Sequence, residues 1–117
     1  MAAFELYLVR HGEAEERGEA FPDDSKRPLT KQGIDRLRGE ARGLGALGVA
    51  FDLVLTSPLV RTRQTADTIA NTLDPHPPVE NADCLAPDGT PGDVYKELSR
   101  HAKRRTVRTL SAIVRLA

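Results

Sequence analysis

No tryptophan occurs in the 117 residues, there is one cysteine, and aromatic residues make up 4%. So little aromatic surface leaves almost nothing for base-stacking platforms. The lone Cys84 cannot close an internal disulfide, and one cysteine with three histidines does not supply a zinc cluster. A reducing, cytoplasmic compartment is the expectation. No apolar run approaches the ~20 residues a spanning helix needs, because charged residues interrupt every hydrophobic stretch. The N-terminus, Met1-Ala2-Ala3-Phe4-Glu5, runs straight into a strand-like pattern without the basic start and apolar stretch of a signal peptide. The length suits one domain over residues 1–117, or part of a somewhat larger one.

Net charge is also lacking, with 17 basic and 17 acidic side chains, but its distribution is uneven. Residues 100–117 carry six basic side chains and no acid, which leaves 11 basic against 17 acidic in residues 1–99. A basic tail of this kind can serve as a nucleic-acid arm. A solvated helix face is the reading preferred here, so no nucleic-acid partner and no membrane is expected.

What is present alternates strand and helix. Phe4, Leu6 and Leu8 fall on one face of a strand and Tyr7 and Val9 on the other, which suits the buried middle of a parallel sheet. Residues 12–28 are polar and read as a loop longer than most connections, a length often kept for function. Thr30 can cap a helix whose stripe is Ile34, Leu37, Ala41 and Leu44, ended by Gly43, Gly45 and Gly48. Asp52–Thr56 is a second strand. Ser57-Pro58 then reads as a helix start, Ser57 the cap, with Leu59, Ala66, Ile69, Ala70 and Leu73 on the buried side. A weak third strand lies near Val79–Ala82, and Thr90-Pro91 opens another helix with Val94, Leu98 and Ala102 inward. Thr109–Leu116 suits either strand or helix. The expected class is α/β: three layers, a mainly parallel sheet with helices on both faces.

In such sheets ligands bind beyond the carboxyl ends of the strands. That points to two places, Arg10–Ala14 after the first strand and Thr56–Ala66 after the second, and Arg10, His11 and Arg61 converge on one anion-sized site if the two strand ends are neighbours. Neutral imidazole is a competent nucleophile toward phosphorus, Arg10 offers a planar fork for phosphate oxygens, and Gly12 permits close backbone approach. For the triplet alone, a histidine satisfied at a strand end is the plainer reading. Arg61, near a helix N-terminus that already favours anions, shifts the balance toward an anion site.

These residues carry a resemblance. Leu8-Val9-Arg10-His11-Gly12-Glu13-Ala14 looks like the signature of the histidine phosphatase superfamily. Arg27-Pro28-Leu29-Thr30-Lys31-Gln32-Gly33 resembles the segment opening that family's first helix, and Leu55–Ala66 is similar to its second signature. Leu85-Ala86-Pro87-Asp88-Gly89 is like the small bacterial phosphohistidine phosphatases, the SixA-type branch. The resemblance covers residues 4 to about 98. It implies a phosphoglycerate mutase-like fold, His11 as the residue transiently phosphorylated, and Arg10 and Arg61 as ligands of the phosphoryl oxygens. It implies no cofactor and no metal, and a phosphorylated protein or small phosphorylated metabolite as partner. Glu13 and Asp83 are the candidates for a general acid, which larger relatives supply as a carboxylate.

The family's second histidine, in a Gly-His or Ser-His context, has no counterpart here: His76 stands between prolines and His101 in a basic stretch. The resemblance implies that this histidine follows a strand lying between the first two; residues near 110–116 are expected to form that parallel strand, so that the chain stops where the histidine should follow. The expectation is therefore a C-terminally incomplete domain, through truncation, a frame change or true loss. The functional reading is a phosphatase acting on phosphohistidine or a small phosphomonoester. Its alternatives are a catalytically impaired phosphate-binding relative, a sugar-phosphate or phosphoglycerate-type phosphatase, and a basic-tailed nucleic-acid binder.

Overall fold

The structure, a computed structural model, describes residues 4–104, 107 and 109–114. Strands β1 (Glu5–Arg10), β2 (Leu53–Thr56), β3 (Val79–Asn81) and β4 (Thr109–Val114) form one sheet in the order β1-β4-β2-β3, every pairing parallel. Helices α1 (Lys31–Ala46), α2 (Val60–Thr72) and α3 (Pro91–Ala102) connect them, with two short 3-10 helices at Asp24–Lys26 and Asp83–Leu85.

The last strand fills the slot between the first two. Leu110 pairs with Leu6 on one side and Leu53 on the other, and Arg10 stands opposite Val114. Its side chains suit a position covered on both faces. Leu110 and Ala112 join Leu53, Leu55, Ala82, Leu85 and Val107 in one cluster, under Val94 and Leu98 of α3. Ile113 joins Val54, Ala41, Phe51, Ala66, Ile69 and Leu73 in the other, on the side of α1 and α2. Three layers with helices on both faces follow. Residues 115 and 116, the end of the expected strand, lie outside the described residues. Ser111 Oγ, buried in β4, has no hydrogen-bond partner among the described residues.

Two local expectations are corrected. β1 is not a middle strand: it is outermost among the described strands, with Leu6 39% and Leu8 65% exposed. Tyr7 and Val9 do pack on the cluster beneath α1 and α2, but on the other face α3 lies against the cluster built from β2 and β4. The second correction is at α2, which begins at Val60 with Leu59 at the cap position and no side-chain cap. Ser57 Oγ instead pairs with Thr62 Oγ1 at 2.6 Å, and Thr62 Oγ1 also meets the Ser57 and Leu59 carbonyls, each at 3.0 Å. The hydroxyl that a cap would use is therefore spent inside the turn.

The caps expected for the other helices are present. Thr30 Oγ1 accepts from Gly33 N at 2.8 Å and Thr90 Oγ1 from Asp93 N at 3.2 Å. α1 continues through Gly43 and Gly45, and Gly48, at φ +82°, takes the left-handed conformation just beyond its end. Among the described residues no helix is long and apolar enough to cross a membrane.

Candidate active site

The carboxyl ends of β1 and β2 flank β4, so the segments following them meet across one strand. β1 delivers Arg10 and then His11-Gly12. β2 delivers the turn into α2, whose second residue is Arg61. Arg10, His11, Glu13, Arg27 and Arg61 line one cleft of about 730 Å³, ample for a phosphoryl group together with its leaving group.

The three sequence motifs are tied together by hydrogen bonds. Gly12 N donates to Thr65 Oγ1 at 3.1 Å, and that hydroxyl donates to the Arg61 carbonyl at 2.8 Å. Leu29 N donates to Gln64 Oε1 at 2.7 Å. The loop closes on itself through Thr30 N to the Glu13 carbonyl and Glu15 N to the Pro28 carbonyl, both 2.9 Å. Arg61 is fully buried; its Nη2 lies 3.0 Å from Asp24 Oδ2 and its Nη1 donates to the Asp24 carbonyl at 2.8 Å. Arg27 Nη1 donates to the Glu15 carbonyl at 2.7 Å.

Gly33, in the first turn of α1, lets this loop sit tight against the helix. A Cβ there would lie 2.5 Å from the Glu13 carbonyl oxygen and 3.1 Å from Glu13 N. Helix propensity alone would favour Gly33→Ala by up to ~1 kcal/mol. Backbone on the other side of the contact cannot yield as a side-chain tip can. Gly33→Ala should therefore lower the melting temperature, and a thermal unfolding curve checks the sign.

His11 Nδ1 lies 2.7 Å from the Gly12 carbonyl oxygen. A carbonyl only accepts, so Nδ1 carries the proton, and in the neutral ring the lone pair belongs to Nε2. Burial lowers the His11 pKa, and the charges of Arg61, Arg10 and Arg27 lower it further against the opposing Gly12 hydrogen bond. The ring thus stays neutral, and nucleophilic, to lower pH than an ordinary histidine. An NMR titration should place the His11 pKa below 6.5, and Arg10→Gln should raise it. The folded chain then binds this proton less readily than the unfolded chain, so its contribution to stability is lost as pH falls through and below that window.

The two candidate acids part company. Glu13 lines the cleft, its Oε1 accepting from Thr30 Oγ1 at 3.2 Å. Asp83 does not line it: it opens the 3-10 helix after β3, at the far edge of the sheet from β1. His76 and His101 do not line it either. His76 Nδ1 donates to the Leu73 carbonyl at 2.6 Å, and His101, buried in α3, has Nε2 3.0 Å from Glu97 Oε1. Among the described residues no group of three or more His, Cys, Asp or Glu is placed to hold a metal.

Sequence reasoning gave no role to Asp24, Gln64 or Thr65, nor to Arg17 and Arg36, which also line the cleft. Gln64 and Thr65 stood inside a quoted motif and Arg27 opened another, so a signal existed for those. Asp24 lies in a polar loop without period, where nothing marked it.

A parallel sheet in this strand order, with arginines and a neutral histidine at its carboxyl ends, is the arrangement of a phosphoryl-transfer family. The chain belongs to the histidine phosphatase superfamily (branch 1), whose family model matches residues 6–86. It is 44% identical over 97 residues to an uncharacterized protein of Picosynechococcus sp., across 82% of this chain and 57% of that protein's length. It is 41% identical over 68 residues to a 2,3-bisphosphoglycerate-dependent phosphoglycerate mutase of Rhizobium etli, across 56% of this chain and 32% of the mutase. Among solved structures, the protein histidine phosphatase SixA complexed with tungstate superposes with a TM-score of 0.82 and 30% identity, across 95% of this chain and 69% of that one.

Proposed function

We propose that this chain carries the phosphoryl-accepting half of a phosphohistidine phosphatase, with His11 as nucleophile. The observation that carries the reading is the meeting of Arg10, Arg61 and His11 in one cleft, where burial and the neighbouring guanidinium charges lower the His11 pKa. The Nε2 lone pair attacks phosphorus, and an N–P bond forms as the bond from phosphorus to the substrate's imidazole nitrogen breaks. That nitrogen keeps the bonding pair and takes a proton from solvent. Arg10 and Arg61 offset the charge on the phosphoryl oxygens. Water then attacks phospho-His11, the N–P bond breaks, inorganic phosphate leaves, and Nε2 recovers its pair.

Imidazole is a far weaker base than an alkoxide, so its departure from the phosphorus of phosphohistidine needs less help from an acid. This favours phosphohistidine over an ester in a cleft whose candidate acid is an exposed Glu13. A phosphomonoester reading, with Glu13 protonating the leaving oxygen, draws its support from the mutase relative. An impaired phosphate binder is the third reading: no second histidine lines the cleft among the described residues. The expected setting is cytoplasmic, with a phosphorylated protein or small metabolite as partner.

The test compares a histidine-phosphorylated protein with p-nitrophenyl phosphate, following release of phosphate and acid-labile phosphate on the chain. Higher kcat/KM on phosphohistidine is the expected result. Faster turnover of the ester overturns that choice in favour of the phosphomonoester reading.

A further inference from the structure

Loop 12–28 holds one acidic residue where the site's cations converge. Asp24 Oδ2 pairs with Arg61 Nη2 at 3.0 Å, its carbonyl accepts from Arg61 Nη1 at 2.8 Å, and its Oδ1 accepts from Arg27 Nε at 3.0 Å. Arg17 Nε stands 3.6 Å from the same Oδ1. We propose that Asp24 is a positioning residue: the carboxylate and the carbonyl of one residue grip Arg61 at two points and hold its guanidinium in the cleft beside His11. The proposal rests on the phosphoryl-transfer reading of that cleft.

Arginine is long and flexible, and a buried guanidinium needs a counter-charge and acceptors to stay where it is. Two oxygens on one residue, meeting Nη1 and Nη2, fix the plane of the fork as well as its place. Asp24 is itself held. Asp23 caps its turn, accepting from Ser25 N at 3.0 Å and Ser25 Oγ at 2.6 Å. Arg27 N donates to the Asp24 carbonyl at 3.1 Å, and Arg27 is anchored in turn to the Glu15 carbonyl at 2.7 Å. The rival role is an internal stand-in for substrate, a carboxylate occupying the phosphoryl site. Two features oppose it. Asp24 does not line the cleft, whereas Arg61 does. Half of its grip on Arg61 is a backbone carbonyl, a neutral group that mimics no phosphoryl charge.

The experiment compares the unsubstituted chain with Asp24→Ala and Asp24→Asn. It reads the affinity for inorganic tungstate by calorimetry, the His11 pKa by NMR, and the melting temperature. In Asp24→Ala the guanidinium should drift, and a displacement of an ångström costs on the order of a hundredfold. Tungstate should therefore bind about a hundredfold more weakly, and the His11 pKa should rise toward 6.5 as a neighbouring positive charge withdraws. Asp24→Asn keeps the backbone carbonyl and one side-chain oxygen for Arg61 while losing the charge and the acceptor for Arg27, and should fall between the other two proteins in both readouts. A merely structural aspartate would move the melting temperature without moving the His11 pKa, and that result overturns the proposal. So does tighter tungstate binding in Asp24→Ala, the mark of a removed competitor. If Asp24→Ala does not fold, Asp24→Glu replaces it. The charge is kept while the reach changes, so positioning expects weaker binding and a raised His11 pKa, and unchanged values overturn it. An unsubstituted chain that neither binds tungstate nor accepts phosphate sinks the phosphatase reading itself. The His11 pKa difference between the proteins still decides on Asp24.

Discussion

His11→Ala should abolish phosphoryl transfer, with a fall on the order of a millionfold, the scale seen when a covalent nucleophile is removed. Neither other histidine can take its place. His76 is engaged by the Leu73 carbonyl and His101 is buried beside Glu97, both away from the cleft. The fold should survive, because His11 is only part-buried and its one recorded hydrogen bond is to the adjacent Gly12. Labelling with a phosphoryl donor reads the outcome directly: acid-labile phosphate on the unsubstituted chain and none on the variant. A labelled His11→Ala protein would move the nucleophile elsewhere. The second step should be slow in the 117-residue chain, since no second histidine braces the phosphoryl group among the residues lining the cleft. Release of the dephosphorylated leaving group should then show a burst of about one equivalent, while inorganic phosphate appears only at the slow second-step rate, the kinetic mark of a covalent intermediate.

The legible parts of this molecule were those with a period or a motif. The α1 stripe of Ile34, Leu37, Ala41 and Leu44 places Leu37 and Ala41 in the core. The strand at the chain's end was legible only through the family resemblance, which implies a strand between the first two; such a slot needs apolar side chains on both faces, and Leu110, Ala112 and Ile113 supply them. Two places misled. The apolar alternation of β1 suggested burial on both faces, yet periodicity reports what a strand could bury and not what stands ready to cover it. Leu8 remains largely exposed because α3 lies over β2 and β4. Ser57-Pro58 carried the local chemistry of a helix start, and a tertiary pairing with Thr62 overrode it. In the site, motifs announced His11, Arg10 and Arg61. Asp24 owes its place to contacts 37 residues away in sequence, which no local pattern encodes.

The two arginines of the site should separate when each is replaced by alanine. Either loss should cost roughly 2–4 kcal/mol of transition-state stabilisation, the worth of one preorganised donor. That is about 30- to 1000-fold in rate at 1.36 kcal/mol per tenfold. Stability should part them. Arg10 is exposed at the end of β1, and a substitution there should stay within about 0.5 kcal/mol. Arg61 is fully buried and paired to Asp24. Removing it opens a void under α2 and takes from the 12–28 loop the ion pair that ties Asp24 to that helix. Breaking a fully buried pair costs about 3–5 kcal/mol. Asp24 is 44% exposed and keeps Arg27 as a partner, so the loss for Arg61→Ala should be smaller, about 2–3 kcal/mol. Denaturant unfolding beside single-turnover phosphorylation measures both quantities on each variant. Arg10→Ala should lose activity at unchanged stability, while Arg61→Ala loses both. Equal stability in the two variants would mean that the buried pair contributes nothing to the fold. An active Arg61→Ala protein would remove this guanidinium from the phosphoryl site.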